Sequence, residues 1–134
     1  MTSLVFVDTS ALLALLVSSD RSHLSAKKIF ARLQGADAEL VTSSYVLVET
    51  YALLGRRVGA SAARDFRDGF EPLLSVQWID ETRHERALDE WLSAKQRRAS
   101  LVDAASFVLM RELRIDSAFA FDPDFETAGF ELAR

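Results

Sequence analysis

The sequence predicts an α/β fold: a central, mainly parallel sheet of four to five strands with helices on both faces. Three observations carry this. Residues 4–7, Leu-Val-Phe-Val, form an unbroken apolar run that ends at Asp8. Such a run fits a strand buried on both faces, as in the middle of a parallel sheet. Short strand patterns then alternate with helical ones along the whole chain, which is the signature of parallel strands joined by right-handed helical crossovers. Finally, the length of 134 residues and the 49% hydrophobic content suit one domain, 1–134, with a real core. No repeat, linker or low-complexity segment interrupts it.

Each element has a local reason. Residues 10–17 read as a short helix after strand 4–7. Residues 23–33 carry Leu24, Ile29, Phe30 and Leu33 at roughly helical spacing, and Gly35 is the candidate residue just past that helix end. Strand two covers 39–42. Ser43 and Ser44 are N-cap candidates for a helix through about residue 57. Gly59 breaks that helix, and Ser61 starts another, with Ala62, Phe66 and Phe70 on one side and Pro72 near its end. Residues 75–79 alternate as strand three. Residues 82–98 form an amphipathic helix with Ala87, Leu88, Trp91 and Leu92 inward. Ser100 opens a helix through about 113, residues 117–121 are strand four, and 131–133 are at most a short last strand.

Composition narrows the chemistry. The chain has no cysteine, which excludes disulfides and thiolate metal sites and fits a reducing compartment. His23 and His84 are its only imidazoles, too few for a histidine-rich zinc site, and both read as surface residues rather than general bases. Residues 11–17 are apolar, but no basic segment precedes them and no stretch is long enough to cross a bilayer, so a cytoplasmic protein with no membrane partner is expected. A net charge of −4 lacks the broad basic footprint of many nucleic-acid binders, though it leaves room for a local basic patch.

Four carboxylates stand out, each with an ordinary explanation beside the functional one. Asp8 ends strand one, where open α/β sheets bind ligands, and is equally a good N-cap. Glu49 lies within Val46-Leu47-Val48-Glu49-Thr50-Tyr51-Ala52-Leu53-Leu54, where a carboxylate is costly unless paired, metal-bound or at an edge facing water. Asp103 stands three residues after Ser100, the spacing of a capping box. Asp122 follows strand four, and Asp122-Pro123-Asp124 is also good turn chemistry; Asp124 ranks below Asp122. In a parallel sheet these places share one edge. Clustered carboxylates repel unless a cation intervenes, so an all-oxygen pocket implies Mg²⁺ or Mn²⁺. Thr9 and Ser10 read as residues orienting Asp8 or as local caps.

Val7-Asp8-Thr9-Ser10, Glu49 in its apolar helix, Ser100-x-x-Asp103-Ala104 and Phe121-Asp122-x-Asp124-Phe125 together resemble the PIN-domain ribonucleases, and most of all the VapC toxins of toxin–antitoxin pairs. The resemblance spans essentially the whole chain in motif order. It implies a three-layer α/β/α sandwich and Mg²⁺- or Mn²⁺-dependent endonucleolytic cleavage of single-stranded or loop RNA. It assigns Asp8, Glu49, Asp103 and Asp122 to the acidic site, with Asp124 assisting and Thr9 or Ser100 behind them. It also implies a homodimer and a small cognate antitoxin protein. Tyr51, Leu54, Phe66 and Phe70 are a candidate dimer surface or simply core.

Lys95, Arg97 and Arg98 precede Ser100 and are candidates for RNA phosphate contact or a cationic last helical turn. Arg56 and Arg57 read first as helix-end cations, and Trp78 and Trp91 as core. Two rival readings remain at this level. A haloacid-dehalogenase-like phosphatase would need a second acid two positions after Asp8, where Ser10 stands. A non-catalytic receiver-like domain would need paired acids near strand one and a later lysine, whereas a PIN-like RNA-binding scaffold would bind RNA without cutting it.

Overall fold

A computed structural model describes residues 3–94 and 98–134. Along the chain run β1 (Leu4–Val7), α1 (Thr9–Leu16), α2 (His23–Gly35), β2 (Glu39–Ser43), α3 (Ser44–Arg57) and α4 (Ala60–Gly69). A single 3-10 turn (Glu71–Leu73) leads into β3 (Ser75–Gln77), α5 (Glu81–Ser93), α6 (Leu101–Leu113), β4 (Ser117–Phe119), α7 (Asp124–Thr127) and β5 (Glu131–Leu132). The five strands form one sheet in the order β3-β2-β1-β4-β5, and every pairing is parallel.

The central position of β1 follows from its sequence. Val5, Phe6 and Val7 are all buried although consecutive side chains point to opposite faces, so helices must cover both sides of the strand. Phe6 is fully buried and packs against Phe125 with ring centroids 6.3 Å apart. Thr42, also fully buried, donates its hydroxyl to the Val7 carbonyl at 2.8 Å and ties the ends of β2 and β1 together.

The predicted elements form, with local differences. α2 runs through Gly35, and Asp37 rather than Gly35 takes the left-handed conformation after it (φ 59°). This is a conformation Asp tolerates better than most residues. α5 begins at Glu81 because Asp80 caps it, accepting from Arg83 N at 2.9 Å, and it ends at Ser93 with Ala94 extended; residues 95–97 of the expected helix lie outside the described residues. β4 stops at Phe119.

Trp78 is not core. It lies beyond the last paired residue of β3 and is 70% exposed. Leu92, in the last turn of α5, is 49% exposed and not inward. Leu54 and Phe66 are fully buried in the main cluster and so do not form a free dimer surface; Tyr51 and Phe70 pack against that cluster. His23 and His84 are half-buried and engaged: His23 Nδ1 contacts the Ala14 carbonyl at 2.8 Å, and His84 Nδ1 contacts the Tyr45 hydroxyl. Among the described residues no helix is long and apolar enough to cross a membrane.

Because Phe6 fills the middle of the sheet, Phe6→Ala is expected to cost about 3–5 kcal/mol. Urea unfolding would measure this, and a loss below about 1 kcal/mol would show that the ring is not central to the core.

Candidate metal centre

The parallel sheet delivers its carboxyl-end residues to one edge, and the acids gather there. Asp8 is the residue after β1. Its backbone N–H still bonds to Phe119 O at 3.0 Å, which extends the ladder to β4 and fixes the main chain at this point. The side chain caps α1: Oδ2 accepts from Ser10 N at 3.1 Å and from the Ser10 hydroxyl at 2.7 Å. Ser10 Oγ in turn accepts from Phe121 N at 2.9 Å. One serine therefore holds Asp8 and the backbone leading to Asp122 at the same time.

Asp103 sits in the first turn of α6 in a complete capping box. Its N–H donates to Ser100 Oγ, and the Ser100 N–H donates to Asp103 Oδ2, both at 3.1 Å. Asp122 Oδ1 accepts from Asp124 N at 2.9 Å. The ordinary capping and turn roles are thus real, and they also aim the carboxylates. Asp8, Asp103 and Asp122 each offer a ligand oxygen within 4.8 Å of those of the other two.

Glu49 lines the same cleft, which has a volume of about 270 Å³ and is bounded also by Thr9, Leu13, Leu53 and Ser100. Glu49 is half-buried while its neighbour Val48 is 67% exposed, so this part of α3 lies at an edge and not in the interior. Thr9 is buried between α1 and α3, donating to Val46 O at 3.4 Å and accepting from Thr50 Oγ1 at 3.3 Å. Asp124 does not join the three-carboxylate group; its contribution is the backbone amide that holds Asp122. Lys95 and Arg97 lie outside the described residues. Arg98 is exposed and forms no ion pair among the described residues. Ser10 orients Asp8 as its spacing two residues later suggested, and its second bond, from Phe121 N, is the part the sequence did not announce.

The electrostatics are those of buried carboxylates placed close together. Burial is the main cause that pushes Asp8 up to about 6, opposed by the Ser10 hydrogen bonds and reinforced by Glu49 and Asp122. Burial likewise pushes Asp103 up to about 6, opposed by the Ser100 amide and reinforced by Asp8 and Asp122. Glu49 is raised as well, first by burial and then by Asp103 and Asp122, while the Thr9 hydroxyl works in the opposite sense. Asp8 Oδ1 is buried with no hydrogen-bond partner. An orphaned, buried carboxylate oxygen beside two further carboxylates, with neither sulfur nor imidazole in the set, fits a hard divalent cation.

A parallel α/β sandwich with three converging carboxylates at its carboxyl edge is compatible with a metal-dependent nuclease, and the PIN-domain family model matches residues 5–131. The chain belongs to the PIN-domain family, among its VapC-type endoribonuclease toxins. The 23S rRNA-specific endonuclease VapC20 of Mycobacterium tuberculosis is 38% identical over 98% of both chains. The crystal structure of that protein, described as a sarcin-ricin loop cleaving toxin, superposes with a TM-score of 0.86 at 36% identity and covers 96% of each chain. DNA-bound VapBC from Salmonella typhimurium shares the fold at 12% identity, with a TM-score of 0.66 and coverage of 98% of this chain and 97% of the other.

The raised Asp8 has a definite consequence for stability. Its folded value, about 6, exceeds its ordinary 3.8, so the native state holds this proton more tightly than the unfolded chain. Stability from this group is present at low pH and is lost as pH rises through about 6. In EDTA at pH 7.5, Asp8→Asn should therefore stabilise the protein by about 3 kcal/mol. The gain should shrink toward pH 5. Calorimetric midpoints of both proteins across this range test it, and a pH-independent gain or a loss would refute it.

Proposed function

We propose that this chain is a divalent-metal-dependent endoribonuclease that cuts an exposed loop of a structured RNA. The observation that carries the reading is the convergence of Asp8, Asp103 and Asp122, with one Asp8 oxygen buried and without a hydrogen-bond partner. Its support from relatives is 38% identity over 98% of the chain to an enzyme named a 23S rRNA-specific endonuclease. The substrate we favour is the corresponding ribosomal RNA loop. We read the chain as one domain, working in the cytoplasm as a homodimer and held inactive by a small antitoxin protein.

Asp8, Asp103 and Asp122 would hold Mg²⁺ or Mn²⁺. Such an ion would activate water and offset the charge that builds on the phosphate oxygens during hydrolysis. The remaining work falls to the chain. Ser10, Ser100 and the Asp124 amide fix the carboxylates before substrate arrives, so little reorganisation is needed during reaction. Glu49 faces the same cleft, and its raised affinity for a proton suits its carboxylate to accept one from the attacking water. Thr9 lines the cleft beside Glu49. Ser10 cannot act as the second acid of a phosphatase, because it is a hydroxyl already donating to Asp8.

Asp103→Asn and Asp8→Asn should each lower cleavage of a stem–loop RNA carrying the sarcin-ricin loop sequence by at least about 100-fold. Product bands on a denaturing gel, with Mg²⁺ or Mn²⁺ and with EDTA as control, provide the measurement. Undiminished cleavage by both variants, or cleavage in EDTA, would overturn the assignment of these acids. Binding of the RNA without any cutting by the parent protein would favour the scaffold reading. Light scattering on the same samples tests the dimer.

A further inference from the structure

Two features flank the acidic cleft on the same edge of the sheet, and neither is used by the catalytic reading. The first is Trp78. Ser43 pairs with Gln77, and the β1–β2 register carries Asp8 to the level of Ser43. Trp78, the next residue after Gln77, therefore leaves the sheet at the level of Asp8, two strands away, or about 10 Å across the sheet. Its ring is largely exposed, yet its backbone is held on both sides. The Trp78 carbonyl accepts from Arg83 Nη1 at 3.2 Å, and the following Ile79 N–H donates to Ser44 Oγ at 2.9 Å. Arg83 is itself fixed by Glu112 at 2.9 Å, and Ser44 begins the helix that bears Glu49. This is a wet aromatic surface on a backbone fixed from both sides.

The second feature lies on the opposite flank. A cleft of about 420 Å³ runs between α2 and the ends of β4 and β5, lined among others by Lys28, Arg32, Phe121 and Arg134. Lys28 and Arg32 are one turn apart on α2, and among the described residues neither joins an ion pair. Glu126, the acidic residue of this cleft, stands 4.0 Å from Arg134 and so leaves the other two cations uncompensated. The cleft wall is coupled to the acids, because the Phe121 N–H donates to the serine that holds Asp8. In a chain of net charge −4, two uncompensated cations beside an acidic centre are a local reversal of sign.

We propose that the RNA strand crosses the carboxyl edge of the sheet at the acids, with a phosphate held by Lys28 and Arg32 on one flank and an unpaired base stacked on Trp78 on the other. This rests on the ribonuclease reading above and names how that site takes its substrate. A cation pair binds phosphate without regard to sequence, whereas an aromatic face accepts only a base freed from its helix. The combination selects a loop over a duplex, with no base-edge contact required.

The test uses a fluorescein-labelled stem–loop RNA and its fully paired counterpart, with anisotropy read on the cleavage-deficient Asp103→Asn protein in Mg²⁺. Trp78→Ala should weaken loop binding about tenfold without altering its salt dependence, and Trp78→Phe should restore most of it. Lys28→Gln with Arg32→Gln should instead lower the slope of log affinity against log salt by about 1, on loop and duplex alike. Indole emission of the parent should fall on adding loop RNA, and that fall should vanish in Trp78→Phe. Affinities and slopes unchanged by either set would overturn the proposal while leaving the nuclease intact. A Trp78 emission insensitive to RNA, with Trp78→Ala converting a dimer to monomer, would assign this face to self-association. Loss of cleavage and binding in the parent itself would mark failure of the ribonuclease reading.

Discussion

The placement of negative charge on negative charge at the end of β1 governs this molecule. Asp8 is 3% exposed, and its neighbours include three further carboxylates rather than an arginine. A lone buried carboxylate is expensive, and a cluster of them is more so. The fold bears this because the rest of the sheet is well made: parallel pairing throughout, a continuous apolar core through Phe6, Phe119 and Phe125, and helices packed over both faces. The stability deposited there is what allows a buried cluster of carboxylates to be built at the sheet edge, the usual relation between a costly site and its scaffold.

Much of this was legible in the sequence because its causes are local. An apolar run ending in Asp announces a buried strand and its carboxyl end. Ser100 and Asp103 announce a helix start by spacing alone, and the capping box forms with both of its hydrogen bonds. Glu49 was conspicuous because its neighbours are apolar. The illegible parts depend on where an element stops. β3 pairs through Gln77 and no further, so the alternation that puts Trp78 in line with Val76 continues past the cover that would have buried it. Leu92 fails in the same way, because α5 ends one residue later. The dual attachment of Ser10 was also hidden. It depends on Phe121 arriving from a residue 111 positions away, which no local pattern encodes.

The capping and metal-binding readings of these acids turn out not to compete. Each of the three converging carboxylates is pinned through one oxygen by a nearby amide: Asp8 by Ser10, Asp103 by Ser100 and Asp122 by Asp124. An ionised carboxylate has acceptor capacity on both oxygens, so one local bond fixes its direction without exhausting it. The partner stands only two or three residues away in each case. The aim of each acid is therefore set by short-range geometry at the end of a strand or the start of a helix, and the parallel sheet has only to bring three such ends together. This division of labour explains why residues that look like ordinary caps and turns in sequence make a site in space. It also gives Asp124 a part that its side-chain chemistry would not suggest, since the contact runs through its backbone N–H.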